Sequence, residues 1–147
     1  VMSLRDGSAK MSKSDPSDMS RINLIDSDDD ISAKIRKART DADPLPGDPE
    51  LLKDRPEARN LVGIMAAITG ESESALLSRF EGQGFGAFKP ALAEALVALI
   101  APIRTRYEAL IADEAELDRL LDKGAERANE LAAPTLLAAK RAVGLGR

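Results

Sequence analysis

The chain has 147 residues, 44% of them hydrophobic, and a net charge of −4. That length suits one domain, or one domain plus an arm, with a core that needs no covalent staples. Cysteine, histidine and tryptophan are absent, which excludes disulfides, Cys/His zinc sites, cysteine nucleophiles and Ser-His-Asp triads within it. With an excess of acid, any nucleic-acid contact has to come from a local basic patch. No apolar run approaches the ~20 residues that span a bilayer and no secretory leader is visible, so no membrane partner is expected. The chain begins at Val1, and the expectation is a piece of a longer protein.

Residues 1–30 hold few large apolar groups and many Ser, Asp, Lys and Gly. Arg5-Asp6-Gly7-Ser8 reads as a turn and Asp15-Pro16 as a second reversal. Met2–Leu4 and Ile22–Ile25 are β-like but too short to form a sheet alone. A segment of this kind cannot bury itself, and is expected as a loop on another body.

From Ser27 the pattern is helical. Ser27 is the N-cap, followed by Asp28, Asp29 and Asp30, where the helix dipole favours negative charge. Ile31, Ile35 and Ala38 form a narrow apolar stripe, with Lys34, Arg36, Lys37 and Arg39 on the rest of the surface and toward the C-terminal end. Residues 41–56, with four prolines and Gly47, read as a structured, non-helical connection. A helix is expected from Pro56 or Glu57 to Thr69, stopped by Gly70, and a shorter one from Glu73 to Phe80 capped by Ser72. Gly82, Gly84 and Gly86 are expected to form a loop bearing Phe85 and Phe88.

Leu92, Leu96, Leu99, Ile100, Ile103, Tyr107, Leu110 and Ile111 keep helical spacing over about five turns. Pro102 is expected to kink or split that helix, and Tyr107 to be a core residue. Asp113 caps the next helix, whose expected buried side is Leu117, Leu120, Leu121, Ala125, Ala128 and Leu131, with Pro134 interrupting it. The fold class is all-α, a small helical bundle preceded by an extended loop.

Chemistry concentrates in Lys10-Met11-Ser12-Lys13-Ser14, followed by Asp15-Pro16. Two ammonium groups on a mobile loop can meet negative charge as it grows on phosphate oxygens, an electrostatic stabilisation concentrated in the transition state. The flexible lysine stem lets a point charge follow a moving phosphate. The competing reading of an isolated match is a solvated Lys/Ser loop without a ligand. Gly82-Gln83-Gly84-Phe85-Gly86 is not a P-loop, because no strand precedes it and Lys89 is followed by Pro90. Glu108, Asp113, Glu114 and Glu116 read as a solvated face.

Lys10–Ser14 resembles the KMSKS signature of class I aminoacyl-tRNA synthetases in all five letters. The run Val1–Gly7, Lys10–Pro16, the stretch Ile22–Ser27 into Ile31, Lys34, Ile35, Lys37, Ala38, Thr40 and Asp41, then Glu57–Leu61, Phe88-Lys89 and Pro134–Leu136, resemble the tryptophanyl-tRNA synthetases in order over essentially the whole chain. This resemblance implies that Lys10, Met11, Ser12, Lys13 and Ser14 bind ATP, with Lys10 and Lys13 catalytic and Lys13 foremost. It implies Mg-ATP as substrate, no tightly bound cofactor and no resident metal. Tryptophan and tRNA(Trp) would be the other partners of a cytoplasmic homodimer. Residues 1–26 would be the loop and tail end of an α/β nucleotide-binding domain, and 27–147 the C-terminal, anticodon-binding helical domain.

The family's His-x-Gly-His-type motif and amino-acid pocket have no counterpart here, so this piece alone is expected to be inactive and monomeric. Lys34 and Lys37 have two readings: RNA phosphate contacts, or charges that complement the helix end beside Asp28–Asp30. Two functional alternatives remain: a non-catalytic helical module that binds RNA or protein, and the tyrosine-specific relative. The coding sequence upstream of Val1 separates the enzyme from the module.

Overall fold

A computed structural model describes residues 1–145. Five helices follow one another: α1 (Asp28–Lys37), α2 (Pro56–Thr69), α3 (Glu73–Phe80), α4 (Phe85–Ala112) and α5 (Glu114–Ala142). Short 3-10 turns lie at Asp18–Ser20 and Pro49–Leu52. The all-α class is what the periodicity implied. The chain divides into two compact units, Val1–Thr105 and Arg106–Arg147.

Local chemistry accounts for the ends of the first three helices. Ser27 and Asp30 form a reciprocal capping box on α1, each side chain accepting the other's backbone N–H, which satisfies two of the four donors that a helix start leaves open. Pro56 opens α2, where its missing N–H costs nothing, and Gly70 closes it at φ 74°, a left-handed conformation suited to glycine. Ser72 caps α3 by accepting from the Ala75 N–H.

The core of the first unit joins all three expected stripe residues of α1, Ile31, Ile35 and Ala38, to Leu61, Val62 and Met65 of α2, Leu76, Leu77 and Phe80 of α3, and Phe85, Phe88, Leu92 and Leu96 of α4. Phe88 lies at its centre, edge-on to Phe80 at 5.1 Å and to Phe85 at 6.4 Å. Next to it, Lys89 donates to the carbonyl of Ala38 at 2.8 Å, placing a cation at the C-terminal end of α1. Burial pushes the Lys89 ammonium below its ordinary pKa.

The proline-rich connection is ordered by backbone and guanidinium contacts. Leu45 exchanges hydrogen bonds with Gln83 and Gly82 and is buried. Arg55 donates to Asp41 and to the carbonyls of Asp43 and Pro44. The hydrogen bond from Arg55 holds the Asp41 carboxyl below the ordinary aspartate value of 3.8. A carboxyl whose pKa is lowered by folding stabilises the fold above its unfolded pKa, and loses that contribution as pH falls through the folded value. Urea unfolding at stepped pH should therefore show Asp41→Asn losing roughly 0.2–1 kcal/mol at neutral pH. Below pH 3.8 the variant and the parent should converge. A constant difference down to pH 2 contradicts the ion pair's contribution.

Several expectations are corrected. Residues 1–26 form no strand: Met2 and Lys10 make one isolated antiparallel bridge, and Leu24 and Ile25 are exposed. Part of this segment packs on this chain's own helices: Leu4 is buried in their core, and Gly7 lies so close to Pro56 and Glu57 that a Cβ would meet their backbone at 2.4 Å. Phe85, Gly86 and Phe88 belong to α4, not to a glycine loop.

Neither Pro102 nor Pro134 ends its helix. Ile100 is buried before Pro102, and Arg104 is tied to Asp28 after it, so α4 is held on both sides. Good helix formers follow Pro134 in Leu136, Leu137, Ala138, Ala139 and Lys140, and one lost hydrogen bond does not stop them.

Leu117 and Leu120 are only half-buried, while Tyr107, Leu121, Ala125, Ala128 and Leu131 are exposed; α5 has no buried residue. An apolar stripe records a demand for burial without naming the partner that meets it. Finally, α4 is long and apolar enough to cross a membrane by length and composition, with a mean hydropathy of 1.5 over its best window. Phe88 and Leu92 on this helix are buried in the core.

Candidate functional site

Lys10–Ser14 lies at the end of a narrow two-armed loop. One arm is stitched down: Asn60 of α2 accepts from the Met2 N–H at 2.8 Å and donates to the Met2 carbonyl at 2.9 Å. The other arm pairs with it through the Ser3 N–H to Ala9 carbonyl bond and the Met11 N–H to Val1 carbonyl bond. The two arms are joined by the Asp6–Ala9 turn, in which the Asp6 carboxylate accepts from both the backbone N–H and the hydroxyl of Ser8. The hydrogen bonds from Ser8 hold the Asp6 carboxyl below its ordinary value. Lys10 thus has a fixed backbone and an exposed side chain.

A second turn follows, closed by the Asp15 N–H to Ser12 carbonyl bond at 3.3 Å, with Lys13 and Ser14 at its centre. The Ser12 hydroxyl accepts from the Ser14 N–H at 3.2 Å, so one of the loop's hydroxyls holds its shape. Met11 is half-buried and packs on the hydrophobic core. It anchors the loop on the helical core of this chain. Ser12, Lys13 and Ser14 are exposed, and among the described residues neither Lys10 nor Lys13 makes an ion pair. Two uncommitted ammonium groups next to hydroxyl and N–H donors make a surface suited to a polyanion.

The two lysines singled out on α1 have different fates. Lys37 is exposed. Lys34 faces inward: its side chain is 3% exposed, and its ammonium sits 2.6 Å from Asp18 and 2.6 Å from Asp26. Burial by itself would lower the Lys34 pKa, but hydrogen bonds to those two carboxylates outweigh it and raise it. Lys34 is therefore a structural cation. Its helical position, three residues after Ile31 and four before Ala38, carried the signal that it lies on the edge of the buried face.

Two positions around the loop were not legible beforehand. Asn60 was part of the resembled Glu57–Leu61 run, yet nothing in its spacing announced hydrogen bonds to residues 58 positions away. Arg21 sits in a polar stretch without periodicity; its guanidinium, 18% exposed, donates to the carbonyls of Asp15 and Ser17, immediately after the loop.

A family model described as tRNA synthetases class I (W and Y) matches residues 1–101. The tryptophan--tRNA ligase of Caulobacter vibrioides is 60% identical over 144 residues, covering 98% of this chain and 42% of that protein. The tryptophan--tRNA ligase of Rhizobium meliloti is 54% identical, covering 98% and 41%. The crystal structure of tryptophanyl-tRNA synthetase from Mycoplasma pneumoniae superposes with a TM-score of 0.82 at 27% identity, covering 100% of this chain and 46% of that one. The Campylobacter jejuni enzyme, complexed with ADP and tryptophan, gives 0.69 at 27% identity, covering 99% and 43%. The chain therefore spans less than half the length of these relatives. From its exposed KMSKS turn and from these matches, the chain belongs to the class I tRNA synthetases of the tryptophan and tyrosine group.

Proposed function

We propose that this chain is the KMSKS-bearing, C-terminal part of a tryptophan–tRNA ligase. The whole enzyme joins tryptophan to ATP, brought as its Mg²⁺ complex, to make tryptophanyl-adenylate, and then passes the acyl group to tRNA(Trp). In the first step a tryptophan carboxylate oxygen bonds to the α-phosphorus, the bond from that phosphorus to the bridging oxygen breaks, and pyrophosphate leaves with the electron pair. Charge grows on the non-bridging and leaving oxygens, where Lys10 and Lys13 act, with Lys13 at the turn's centre the principal stabiliser. Met11, Ser12 and Ser14 complete the ATP-binding loop. The observation that carries this reading is the exposed, uncommitted ammonium of Lys13 on a turn whose base is fixed by hydrogen bonds.

The remaining assignments belong to the same proposal. Residues 1–26 serve the nucleotide site and 27–147 the anticodon end of tRNA. Lys37 meets RNA phosphate, a role for which the inward-facing Lys34 is not available. The full-length enzyme acts in the cytoplasm as a homodimer, and this piece alone is inactive because the tryptophan pocket lies outside it. The test is ATP–pyrophosphate exchange by the full-length protein with tryptophan and with tyrosine in turn. Exchange that depends on tryptophan is expected; exchange with tyrosine alone, or with neither, refutes the reading. So does exchange catalysed by the 147-residue piece alone.

A further inference from the structure

The loop's carboxyl side ends in a polar network centred on Arg21. Arg21 donates from one nitrogen to the carbonyls of Asp15, at 3.0 Å, and Ser17, at 3.3 Å. Its other nitrogens reach the Asn23 side-chain oxygen at 3.1 Å and Asp18 at 3.0 Å. Asp18 in turn holds the buried Lys34, which holds the buried Asp26. Asn23 closes the ring through its N–H to Asp26 and its amide to both Asp18 and Asp26. From α4, Arg104 donates to the Asp26 carbonyl and pairs with Asp28 at 2.7 Å. The residue after the KMSKS turn is thus linked through Arg21 and Asp18 to Lys34 of α1, and onward through Asp26 to Arg104 of α4.

A buried ion pair is weak evidence for stability, because removing two charges from water costs about what their attraction returns. Its distinctive property is direction. A planar guanidinium has five N–H donors in fixed geometry, and here they are divided among two loop carbonyls, one amide oxygen and one carboxylate. Moving Asp15 relative to Asp18 would break at least one of these bonds. The amino side of the loop is held independently by Asn60. The turn carrying Lys13 therefore sits between two fixed ends.

We propose that Arg21 is a positioning residue for catalysis, fixing the carboxyl-side hinge of the Lys10–Ser14 loop so that Lys13 approaches the triphosphate in one orientation. This rests on the ATP-binding reading of the loop. Misplacement of a catalytic group by about 1 Å costs on the order of 10²-fold, so an unfixed hinge should slow adenylate formation by about 10–100-fold.

The test uses the full-length protein and steady-state pyrophosphate exchange. Arg21→Met should lower kcat by about 10–100-fold at saturating ATP while leaving KM for tryptophan and the thermal unfolding midpoint unchanged. Arg21→Lys keeps the charge but not the fork, and should stay impaired. Full activity in Arg21→Lys would show that charge alone suffices and overturn the proposal, as would an unaltered kcat in Arg21→Met. If Arg21→Met does not fold, Asp18→Asn decides the matter: its loss should lower kcat in the same direction at a temperature where circular dichroism shows the variant folded, although the unfolding midpoint falls because the buried Lys34 loses one of its two carboxylates. A normal kcat in Asp18→Asn then overturns the proposal. Wild-type protein without tryptophan-dependent exchange would instead refute the ligase reading itself, whereas an active wild type with unimpaired variants refutes only the hinge.

Discussion

Changing Lys13 to glutamine in the full-length enzyme is expected to slow tryptophan-dependent pyrophosphate exchange by about 10²–10³, the scale on which loss of one preorganised stabiliser acts. Glutamine retains much of the side chain's reach and a donor group, so the change removes chiefly the charge. At about 4 Å and an effective dielectric near 20, one unit-charge pair is worth roughly 4 kcal/mol before desolvation. Retaining roughly 3–4 kcal/mol of that in the transition state corresponds to the expected loss. Lys13 is at the centre of an exposed turn without an ion pair among the described residues, so no internal partner is orphaned by the substitution. The loss should appear in kcat, with KM for tryptophan little changed, because the charge acts on oxygens whose negative charge grows as the bond breaks. Lys10, with its backbone paired to the opposite arm, should show the smaller effect. An undiminished rate in the Lys13→Gln enzyme removes the lysine from its assigned role.

Phe88→Ala is expected to lower unfolding free energy by about 3–5 kcal/mol, the range for a large aromatic removed from a core that cannot fully collapse. Phe88 is fully buried, and both ring contacts, with Phe80 and Phe85, meet on it. Against a typical total of ~5–15 kcal/mol, that is enough to unfold much of the population near physiological temperature. The control is Leu121→Ala on α5. Leu121 is 61% exposed, and its substitution should change stability by no more than about 0.5 kcal/mol. Urea unfolding of both variants checks the contrast. Equal losses would mean that the α5 stripe is buried as deeply as the α4 face.

That contrast also separates what periodicity can report from what it cannot. The stripe Ile31, Ile35 and Ala38 and the stripe Leu117, Leu120 and Leu121 have the same kind of helical spacing. The first is buried throughout, while the second ranges from half-buried to exposed. Spacing specifies which residues share a helix face, and a face is buried only where another surface reaches it. The prolines teach a related lesson. Pro102 removes a backbone donor wherever it stands, but whether the helix survives depends on what holds the turns on either side, here Ile100 and Arg104.

The helix starts at Ser27, Ser72 and Asp113, the stop at Gly70, the turn read at Arg5–Ser8 and found one residue further on at Asp6–Ala9, and the KMSKS run itself were all legible in the linear chain. Capping, left-handed glycine and side-chain-to-backbone turns act over a few residues, so local composition is sufficient to specify them. Only tertiary structure decided that Lys34 faces two carboxylates instead of solvent, that Asn60 secures Met2, and that Arg21 braces the end of the loop. These contacts join residues brought together by packing, and their energies depend on burial and distance, neither of which exists until the chain has closed on itself.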